Sequence, residues 1–306
     1  MIIAIIGGGA AGIACALSLQ EFGHQPVIIE REPLLGGIQR VNFHRNHWLP
    51  GFGAPSGERL AARLTRDVLR AGVEIAEKHE VRTIAHASAG FRLQLMRAGR
   101  RTQMTAAAVV IATGARPRPA PQFARFAGRA QNLFIGPGSR RIQTDIRGAR
   151  VAVLGGGDNA FDHALYLARQ HNTVDVIMAG TPRARPQFVA TARADRRITL
   201  RRGAVANVAL ENGQFTFDAG TARERYDYVL VMYGFAPNTE FLAASKSLGV
   251  RLTPGGFVAV NLKQQTSVRN IYAAGDVTNL QLPSVATAVG QGVVAARWID
   301  RNLKSC

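Results

Sequence analysis

The sequence predicts an α/β fold of two Rossmann-like nucleotide-binding domains, each a three-layer ββα arrangement, with one domain inserted in the other. Two stretches of sequence predict it. A short apolar run from Ile2 to Ile6 leads into a helical pattern that ends at Leu19, through the turn Gly7-Gly8-Gly9-Ala10-Ala11-Gly12. The same order recurs from Val151 to Ala168, with the turn Gly155-Gly156-Gly157-Asp158-Asn159-Ala160. One such turn indicates one nucleotide cofactor, and two indicate a protein that passes electrons between two of them.

Each residue type in these turns has a physical role. The first glycine allows a tight turn, the second lets the backbone approach a pyrophosphate, and the third position, Gly12 or Ala160, must be small so that helix and strand pack. The phosphate charge then lies against free N–H groups at the helix N-terminus. In the first copy, Glu30 follows a strand about 20 residues after Gly9, where an acid accepts the hydrogen bonds of an adenosine ribose. A tight turn without a ligand remains the alternative at both places.

Size and hydropathy are those of a soluble globular protein. The 306 residues correspond to about two domains, and 47% of them are hydrophobic. The segment from Met1 to Leu19 is apolar, but it lacks a basic start and its glycines belong to the turn, so it is interpreted as mature structure. No other stretch is apolar over the roughly 20 residues that a membrane span needs. We therefore expect a cytoplasmic protein without a membrane partner.

The chain is strongly basic, with 38 Lys and Arg against 20 Asp and Glu and a net charge of +18. An arginine-rich composition that holds two anionic cofactors is one explanation. An acidic protein partner, drawn in by the electrostatic field, is another. Nucleic acid is not expected as a partner, because the arginines are scattered and no helix-turn-helix, zinc-finger or aromatic RNA-binding signature is present.

The two cysteines do not form a local pair. Cys15 falls inside the first helical pattern and is expected to be a small core residue. Cys306 is the last residue, where the chain is expected to fray, and a redox role for it is the alternative. No metal site is expected, because His44 and His47 are not joined by a cysteine or carboxylate cluster.

Further elements follow from periodicity and turn residues. Gly57 to Ala71 reads as an amphipathic helix with Ser56 as its N-cap. The alternating runs that follow it indicate an antiparallel element on a parallel sheet: Val73 to Ala76, Phe91 to Met96 and Thr105 to Ile111. Two crossover loops, Ala115 to Pro121 and Gly234 to Asn238, then predict a discontinuous first domain, residues 1–117 with 237–306, around an inserted domain of residues 118–236.

Seven motifs occur in order along nearly the whole chain: Gly7 to Gly12 with Glu30, Leu35-Gly36-Gly37, Pro50-Gly51-Phe52, Ile111 to Ala115, Gly155 to Ala160, Tyr233 to Thr239, and Ile271 to Asp276 followed by Ala288 to Gly292. In this order they resemble the thioredoxin reductase-like branch of the class II pyridine nucleotide-disulfide oxidoreductases, which are two-domain flavoproteins. The resemblance implies FAD at the first turn and NADPH or NADH at the second.

The resemblance also implies roles for individual residues. Asp276 would bind the ribityl chain of FAD, and the helix that starts near Ser284 would direct its positive N-terminus at the flavin N1/O2 edge. The implied FAD contacts are Gly7, Gly9, Ala10, Ala11, Gly12, Glu30, Arg31, Gly36, Gly37, Gln39, Val81, Ala112, Thr113, Gly114, Gly275, Asp276, Ala286 and Thr287. The implied NAD(P)H contacts are Gly155, Gly157, Asp158, Asn159, Ala160, Arg183, Arg185 and Gly234.

Two departures from the family pattern bear on function. Thioredoxin reductases carry a Cys-x-x-Cys just before the second turn, whereas Ile135 to Arg141 has no cysteine, which excludes their usual dithiol exchange. The family's His-Arg-Arg run for NADPH is replaced by Met178-Ala179-Gly180. Arg183 and Arg185 are candidates for a 2′-phosphate clamp, with a solvated loop as the alternative, and the absence of an acid at the strand end favours NADPH over NADH.

Cysteine-less relatives are similar to ferredoxin/flavodoxin–NADP reductases of the thioredoxin reductase type. The resemblance implies hydride transfer from the nicotinamide to FAD and release of electrons to an external acceptor, for which an acidic ferredoxin or flavodoxin fits the charge. Relatives in this branch are commonly homodimers. Two alternatives stay open: an FAD-binding sensor with little or no NAD(P)H turnover, and disulfide chemistry through Cys306 or a dimer partner.

Few side chains need acid–base roles, because the flavin carries the redox chemistry. Asp162 matches an acid near the nicotinamide carboxamide in relatives, or is an ordinary residue of the helix surface. His44 and His47 lie in a segment that passes near the isoalloxazine in relatives, where one could relay a proton, or both are exposed loop residues. Trp298 either stacks on a flavin or belongs to the core or an interface of the last helix.

Overall fold

The computed structural model describes residues 1–47, 49–220, 222–278 and 283–304. The chain forms two compact units. The first unit comprises Met1–Ala115 and Ala236–Cys306, and the second comprises Arg116–Phe235.

Strands and helices alternate at both glycine turns. The strands are β1 (Ile2–Ile6), β2 (Gln25–Glu30), β3 (Glu74–Glu77), β4 (Glu80–Ala87), β5 (Gly90–Arg97), β6 (Arg100–Ala106), β7 (Ala108–Ile111), β8 (Ala115–Pro117), β9 (Leu133–Ile135), β10 (Arg150–Leu154), β11 (Thr173–Met178), β12 (Ile198–Arg202), β13 (Val205–Glu211), β14 (Gln214–Ala219), β15 (Ala222–Tyr226), β16 (Tyr228–Val231), β17 (Phe235–Pro237) and β18 (Ile271–Ala273). The α-helices are α1 (Ala10–Glu21), α2 (Gly57–Arg70), α3 (Arg140–Thr144), α4 (Asp158–Arg169), α5 (Pro186–Ala194), α6 (Glu240–Ala243) and α7 (Val285–Lys304). Short 3-10 helices lie at Gly37–Val41, Pro121–Phe123 and Lys246–Leu248.

The first unit has a parallel sheet in the order β18-β7-β1-β2-β3. Helices α1 and α7 pack on one face, over a core that includes Ile3, Ile5 and Ile28. The antiparallel strands β4, β5 and β6 pack on the other face, over Ile6, Leu93 and Val109. A parallel strand covered on both faces is apolar along its length, which is why the run from Ile2 to Ile6 contains no polar residue.

Helices α1 and α7 approach each other closely at Gly292. A Cβ on this residue would lie 2.2 Å from the backbone oxygen of Ala11. The glycine therefore allows α7 to lie directly against the first turn of α1, beside the first glycine turn.

The second unit repeats this plan. Its parallel sheet has the order β12-β11-β10-β16-β9, and β13, β14 and β15 form an antiparallel sheet. Phe123, Phe215 and Phe217 pack edge to face in the core that joins the two sheets. Helix α4 contributes a buried face that includes Phe161 and Ala164.

The predicted α/β fold class with Rossmann-like units is confirmed, and so is the helix after Ser56, whose hydroxyl accepts the backbone N–H of Arg59. The prediction of a single strand from Thr105 to Ile111 is wrong. Strand β6 ends at Ala106 in the antiparallel sheet, and β7 begins at Ala108 in the parallel sheet. At Ala107 the chain passes between the two sheets, and its N–H bonds to the oxygen of Ile2, a change that an unbroken apolar pattern does not reveal.

Candidate functional site

The first glycine turn joins β1 to α1 and leaves no room for side chains at two of its positions. Gly7 has a φ of +107°, and a Cβ there would lie 2.4 Å from the oxygen of Ala112. A Cβ on Gly12 would lie 2.0 Å from the oxygen of Gly7. A Cβ on Gly9 would meet no atom of the described chain within 4 Å. The turn is thus closed on its inner side and open above Gly9.

Helix α1 begins at this open position. Gly9 is its N-cap, no described side chain caps it, and Ala10 and Ala11 occupy the first turn without an acid. The first N–H groups of a helix lack intrahelical acceptors and carry the positive end of the helix dipole. An anion placed above Gly9 would therefore be stabilised by the free N–H groups of α1.

Glu30 lies at the end of β2, beside this turn. It is 7% exposed, and its two carboxylate oxygens accept the N–H groups of Gly8 at 2.8 Å and Glu32 at 2.9 Å. Val81 of β4 is buried in the same core as Ile29, which precedes Glu30. The neighbouring Arg31 is exposed and pairs with Glu32 at 3.4 Å.

The glycine pair after β2 closes against the same turn. Gly36 donates to the oxygen of Gly8 at 2.7 Å, and a Cβ on Gly37 would lie 3.2 Å from the Cα of Gly9. Gly36 has a φ of +112°, and a Cβ on it would lie 2.6 Å from the Cβ of Ala61 in α2. These contacts place the 3-10 helix at Gly37 between the turn and α2.

The Ala112-Thr113-Gly114 segment follows β7, next to β1 in the sheet. The backbone N–H of Ala112 bonds to the oxygen of Ile6 at 2.8 Å. Asn238 then binds the segment three times: its Nδ2 donates to the oxygen of Thr113 at 2.8 Å, its oxygen accepts from Thr113 Oγ1 at 2.8 Å, and its N–H donates to the oxygen of Gly114 at 3.0 Å. The segment is therefore fixed beside the glycine turn.

Gly275 and Asp276 follow β18 at the same edge of the sheet. Gly275 has a φ of +82°, and its N–H donates to Oε1 of Gln291 at 2.6 Å. The carboxyl of Asp276 is half-buried and receives no hydrogen bond from any residue within the described ranges. Burial raises the pKa of this carboxyl above its usual range, because the charged form loses solvation.

Helix α7, the next described helix along the chain, starts at Val285. Ser284 Oγ accepts the N–H of Thr287 at 3.2 Å, and Thr287 Oγ1 accepts the N–H of Ser284 at 3.0 Å, which is a reciprocal cap. The half-buried Ala286 lies inside the first turn of the helix.

The second glycine turn, in the second unit, joins β10 to α4 with the same geometry. Gly155 has a φ of +140°, and a Cβ there would lie 2.4 Å from the oxygen of Met232. A Cβ on Gly157 would meet nothing within 4 Å in the described structure, and Ala160 is fully buried. The turn is again closed inside and open at its middle glycine.

Arg185 is held at the start of α4. Its N–H donates to Oδ1 of Asp158 at 2.8 Å, and its Nε lies 3.0 Å from Oδ2 of the same residue. Its guanidinium also lies over the ring of Phe188, 4.1 Å from the centroid. Arg183 contributes its backbone N–H to the oxygen of Gly156 at 2.7 Å, and its side chain is exposed.

Comparison with known proteins assigns the family. A family model described as pyridine nucleotide-disulphide oxidoreductase matches residues 1–292. The chain belongs to this family. It is 27% identical to a ferredoxin–NADP reductase of Ignicoccus hospitalis, over 98% of this chain and 97% of that protein, and 27% identical to a thioredoxin reductase of Bacillus subtilis, over 99% and 94%. A thioredoxin reductase of Lactococcus lactis shares the fold, with a TM-score of 0.84 at 20% identity over 99% of both chains.

The resemblance and the cofactors predicted from sequence are confirmed by this membership. The chain is an FAD-dependent NAD(P)H oxidoreductase of the pyridine nucleotide-disulphide oxidoreductase family, and its cofactors are FAD and NAD(P)H.

The residues of the first turn fit FAD as this family binds it. The N–H groups above Gly9 suit a pyrophosphate, and Glu30 is already fixed by the backbone at the place where the ribose would bind. The half-buried Asp276 carboxylate lacks a partner within the described chain, and so does the buried Nε2 of Gln291. Unpartnered buried polar groups are costly in a folded protein, and a polar cofactor would supply partners. The second turn fits the pyrophosphate of NAD(P)H for the same reason as the first, because Gly157 is open and precedes a helix N-terminus.

The weaker candidates from the sequence lie as follows. Gln39 Oε1 accepts the side-chain amides of Asn42 and Asn46, at 3.3 and 3.2 Å, and so orders the loop that carries the histidines. His44 is half-buried and stacks on Phe43, with ring centroids 4.3 Å apart, whereas His47 is exposed. Trp48 lies outside the described residues.

Three further residues of the second unit are predicted from sequence to lie near the nicotinamide nucleotide: Asp162, Asn159 and Gly234. Asp162 is half-buried in the second turn of α4, and Asn159 is exposed at the start of that helix. Gly234, with a φ of +87°, is open: a Cβ there would meet no described atom within 4 Å. The roles of these residues stay predictions.

Three further predicted positions concern core, redox and metal chemistry. Cys15 is fully buried in α1, as predicted, and burial raises the pKa of its thiol. Trp298 packs partly against the core of the first unit, with Lys263 Nζ 4.0 Å from its ring centroid, which favours the interpretation as a core residue. Cys306 lies outside the described residues. In the part of the chain that the structure describes, no group of three or more His, Cys, Asp or Glu residues could hold a metal ion.

Sequence reasoning named neither Gln291 nor Asn238 as a site residue, although both bind backbone at the edge of the first turn. The available signal was weak: an amide between Gly290 and Gly292, and an asparagine after Pro237.

No helix among the described residues is long and apolar enough to cross a bilayer.

Proposed function

We propose that the protein transfers electrons from NAD(P)H through FAD to an external acceptor without a Cys-x-x-Cys relay. One observation carries this proposal. Both middle glycines, Gly9 and Gly157, are open to a nucleotide, whereas the only cysteine in the described chain is buried in α1. Each cofactor therefore has an open glycine turn at which it could bind, and the described part of the chain contains no pair of thiols.

In this proposal the residues of the first unit bind and orient FAD. The N-terminus of α1 would hold the pyrophosphate, Glu30 the adenosine ribose, and Asp276 the ribityl chain. The cap at Ser284 would direct the N-terminus of α7 toward the flavin. When bound, FAD accepts a hydride from the nicotinamide and releases electrons to an acceptor.

Helix α4 would bind the second nucleotide in the same way. Its N-terminus lies behind Gly157, where the free N–H groups would receive the pyrophosphate of NAD(P)H. The acid at Asp158 is neutralised by Arg185, so the carboxylate would not repel the phosphates.

Cys15 is a poor candidate for a thiol relay. Its side chain is fully buried, and desolvation raises the pKa of the thiol, so the reactive thiolate is disfavoured. The proposed reaction therefore differs from that of a thioredoxin reductase, which needs a redox-active pair.

We infer that the acceptor is an acidic electron-transfer protein such as a ferredoxin or flavodoxin. The net charge of +18 supports this, and helix α2 presents four of the arginines, beside Glu58 and Asp67. We define the α2 arginine face as Arg59, Arg63, Arg66 and Arg70, which are exposed and spaced four, three and four residues apart, so they share one side of the helix.

Two residues of the α2 arginine face, Arg66 and Arg70, border apolar surface. Leu69 is 60% exposed, and together with Arg40, Arg66 and Arg70 it lines a depression of about 500 Å³. An apolar centre with a charged rim is the usual anatomy of a protein–protein contact, and electrostatic attraction raises the rate of encounter. The relative from Ignicoccus hospitalis is named a ferredoxin–NADP reductase, in agreement with this acceptor class.

An anaerobic titration tests the proposal. NADPH and NADH are added in parallel to the FAD-loaded protein, and the absorbance of oxidised flavin is followed. We expect bleaching by at least one nucleotide, followed by recovery on addition of ferredoxin, flavodoxin or ferricyanide. The absence of bleaching with both nucleotides would contradict the proposal and favour an FAD-binding sensor.

A further inference from the structure

A basic cavity in the second unit runs along β12, from Ile198 to Arg202, and reaches the carboxyl end of β11. Its volume is about 500 Å³. Met178, Gly180 and Thr181 line it from β11 and the following loop, and Arg193, Arg201 and Arg202 line it from α5 and β12. Met178 and Arg202 are register partners at the last positions of the two parallel strands.

The cavity lies next to the second glycine turn. The sheet order β12-β11-β10 places these strand ends beside the end of β10, where the turn begins. The Met178 side chain lies 3.6 to 3.7 Å from the position of a Cβ on Gly156, whose oxygen accepts the N–H groups of Arg183 and Ala184 at 2.7 and 3.0 Å. A dinucleotide with its pyrophosphate above Gly157 extends its adenosine ribose toward the end of β11.

No carboxylate faces this ribose position from the end of β11. An acid there binds the free 2′-hydroxyl of NADH and repels the 2′-phosphate of NADPH. Here the last residue of β11 is Met178, and the acid of that strand, Asp175, is 2% exposed. Its Oδ2 lies 3.2 Å from Arg150 and 3.1 Å from Arg201 and accepts the hydroxyl of Tyr226 at 2.8 Å, so it is used in the interior.

The arginines near the cavity differ in their availability. Arg201 pairs with Glu224 at 2.7 Å as well as with Asp175, and Arg185 pairs with Asp158. Successive residues of a strand point to opposite faces, so Arg202 shares the face of its register partner Met178, on the side of Gly156. Arg202 is exposed and pairs with no acid within the described ranges. Arg193 is exposed in the last turn of α5.

We propose that Arg202 binds the 2′-phosphate of NADPH in this cavity, in place of the Arg183 and Arg185 predicted from sequence, neither of which lines it. The inference rests on the proposed function, because it assumes that the second turn binds the nucleotide. A guanidinium donates two parallel hydrogen bonds to a phosphate, and such charge-assisted bonds are the stronger ones. The preference for NADPH is thus supplied by β12 and not by the loop after β11.

Calorimetric binding to the full-length, FAD-loaded protein tests this. The probes are 2′,5′-ADP and 5′-AMP, which differ by the 2′-phosphate alone. We expect the wild-type protein to bind 2′,5′-ADP more tightly. Arg202→Gln is expected to weaken 2′,5′-ADP binding by about ten- to a hundredfold, the effect of losing a hydrogen bond to a charged group, and to leave 5′-AMP binding unchanged.

Matched variants locate the effect. Arg202→Lys keeps the charge and is expected to retain part of the affinity, and Arg193→Gln is expected to cost less than Arg202→Gln. Arg183→Gln should leave both affinities intact. Arg185→Gln is expected to weaken both probes to the same degree, because it leaves the Asp158 carboxylate without its ion pair, and to leave the ratio of the two affinities intact. Ala179→Asp adds an acid at an exposed position directly after β11 and is expected to weaken 2′,5′-ADP binding through repulsion, with 5′-AMP binding retained.

Two results would overturn the inference. The first is equal affinity of the wild-type protein for both probes. The second is an unchanged preference for 2′,5′-ADP in Arg202→Gln. Either result is distinguishable from failure of the proposed function, because reduction of FAD by NADH or NADPH is measured separately and does not depend on which arginine binds the phosphate.

Discussion

Oε1 of Gln291 accepts the backbone N–H of Gly275 at a distance of 2.6 Å. The hydroxyl of Thr278 donates to the backbone oxygen of Gly275 at 2.9 Å and lies 3.3 Å from the same Oε1, so the amide on α7 holds the start of the turn that carries Asp276 and Thr278 closes the turn. Gln291 is 7% exposed, and Gly275 is in the left-handed region of the backbone. The conformation of this turn thus depends on a side chain 16 residues later in the chain.

We expect Gln291→Leu to weaken FAD binding. The substitution leaves the buried N–H of Gly275 without an acceptor, which costs about 1–3 kcal/mol, and it loosens the turn that presents Asp276. The dissociation constant of FAD, measured by recovery of free-flavin fluorescence on dilution, should rise about fivefold or more. Gln122→Leu is the matched control. It removes the hydrogen bond that the side-chain amide of Gln122 donates to the hydroxyl of Tyr233 in the second unit, and it should leave FAD affinity unchanged.

Two glycines of the first turn should respond differently to the same added methyl group. Gly12→Ala places a Cβ against the backbone oxygen of Gly7 and is expected to destabilise the fold by about 1–3 kcal/mol, as overpacking does. Gly9→Ala meets no described atom, and its backbone φ of −78° suits alanine, so the fold should be retained while the Cβ occupies the space needed by the pyrophosphate.

Thermal unfolding and FAD content separate the two outcomes. Gly9→Ala should unfold near the melting temperature of the FAD-free wild-type protein and bind little FAD. Gly157→Ala provides the parallel control in the second unit, since it should keep FAD and lose affinity for the nicotinamide nucleotide. Equal FAD content in Gly9→Ala and wild type would show that the nucleotide does not lie above this turn.

The stability of the FAD-free protein should depend on Asp276 in a defined direction. Burial raises the pKa of its carboxyl in the folded state, so the folded protein holds the proton over a range where the unfolded chain has released it. The free energy of unfolding that Asp276 contributes below the ordinary carboxyl pKa is therefore lost as the pH rises through the folded-state pKa of this carboxyl.

Asp276→Asn removes this cost. We expect its FAD-free form to match wild type at about pH 3 and to become the more stable of the two as the pH is raised toward about 7. The same variant should bind FAD more weakly at neutral pH. Denaturant unfolding at a series of pH values measures the difference in free energy of unfolding between Asp276→Asn and wild type. An advantage of the variant that shrinks as the pH rises would contradict the raised pKa of Asp276.

The α2 arginine face should govern reaction with an acidic acceptor. Arg66→Glu with Arg70→Glu is expected to slow reduction of ferredoxin or flavodoxin by about tenfold or more at low salt and to flatten its salt dependence, because attraction becomes repulsion. Reduction of a small uncharged acceptor, such as a quinone, should be much less affected.

Arg97→Glu with Arg101→Glu is the matched control for this face. It makes the same change in net charge on β5 and β6 of the same unit, where both side chains are exposed. An equal slowing in the two double variants would mean that net charge and not the α2 arginine face determines the rate.

Much of the fold was accessible from sequence because local rules act at the glycine turns. Gly7 and Gly155 need positive φ angles, and Gly12 cannot carry a Cβ beside the oxygen of Gly7. The spacing of these small residues therefore predicts the backbone geometry of the two turns. The strand–turn–helix order then determines the two parallel sheets.

The remaining features depend on contacts between distant segments. The bond from Gly275 to Gln291, the hold of Asn238 on Thr113 and the pairing of Met178 with Arg202 join residues that no sequence period relates. The break at Ala107 was missed because an apolar alanine occurs equally well in either sheet. The ion pair of Arg185 with Asp158 is likewise a contact that the sequence does not indicate, and the predicted phosphate contact of Arg185 stays a prediction.

The most direct test of the account is the path of electrons in a protein without cysteine, the double variant Cys15→Ala with Cys306→Ser. In anaerobic stopped-flow mixing with NADPH or NADH, we expect its FAD to bleach and then to reduce an added ferredoxin, flavodoxin or ferricyanide at the wild-type rate. Loss of acceptor reduction in this variant, with FAD still bound and still bleached, would show that a thiol carries the electrons and would contradict direct release from the flavin.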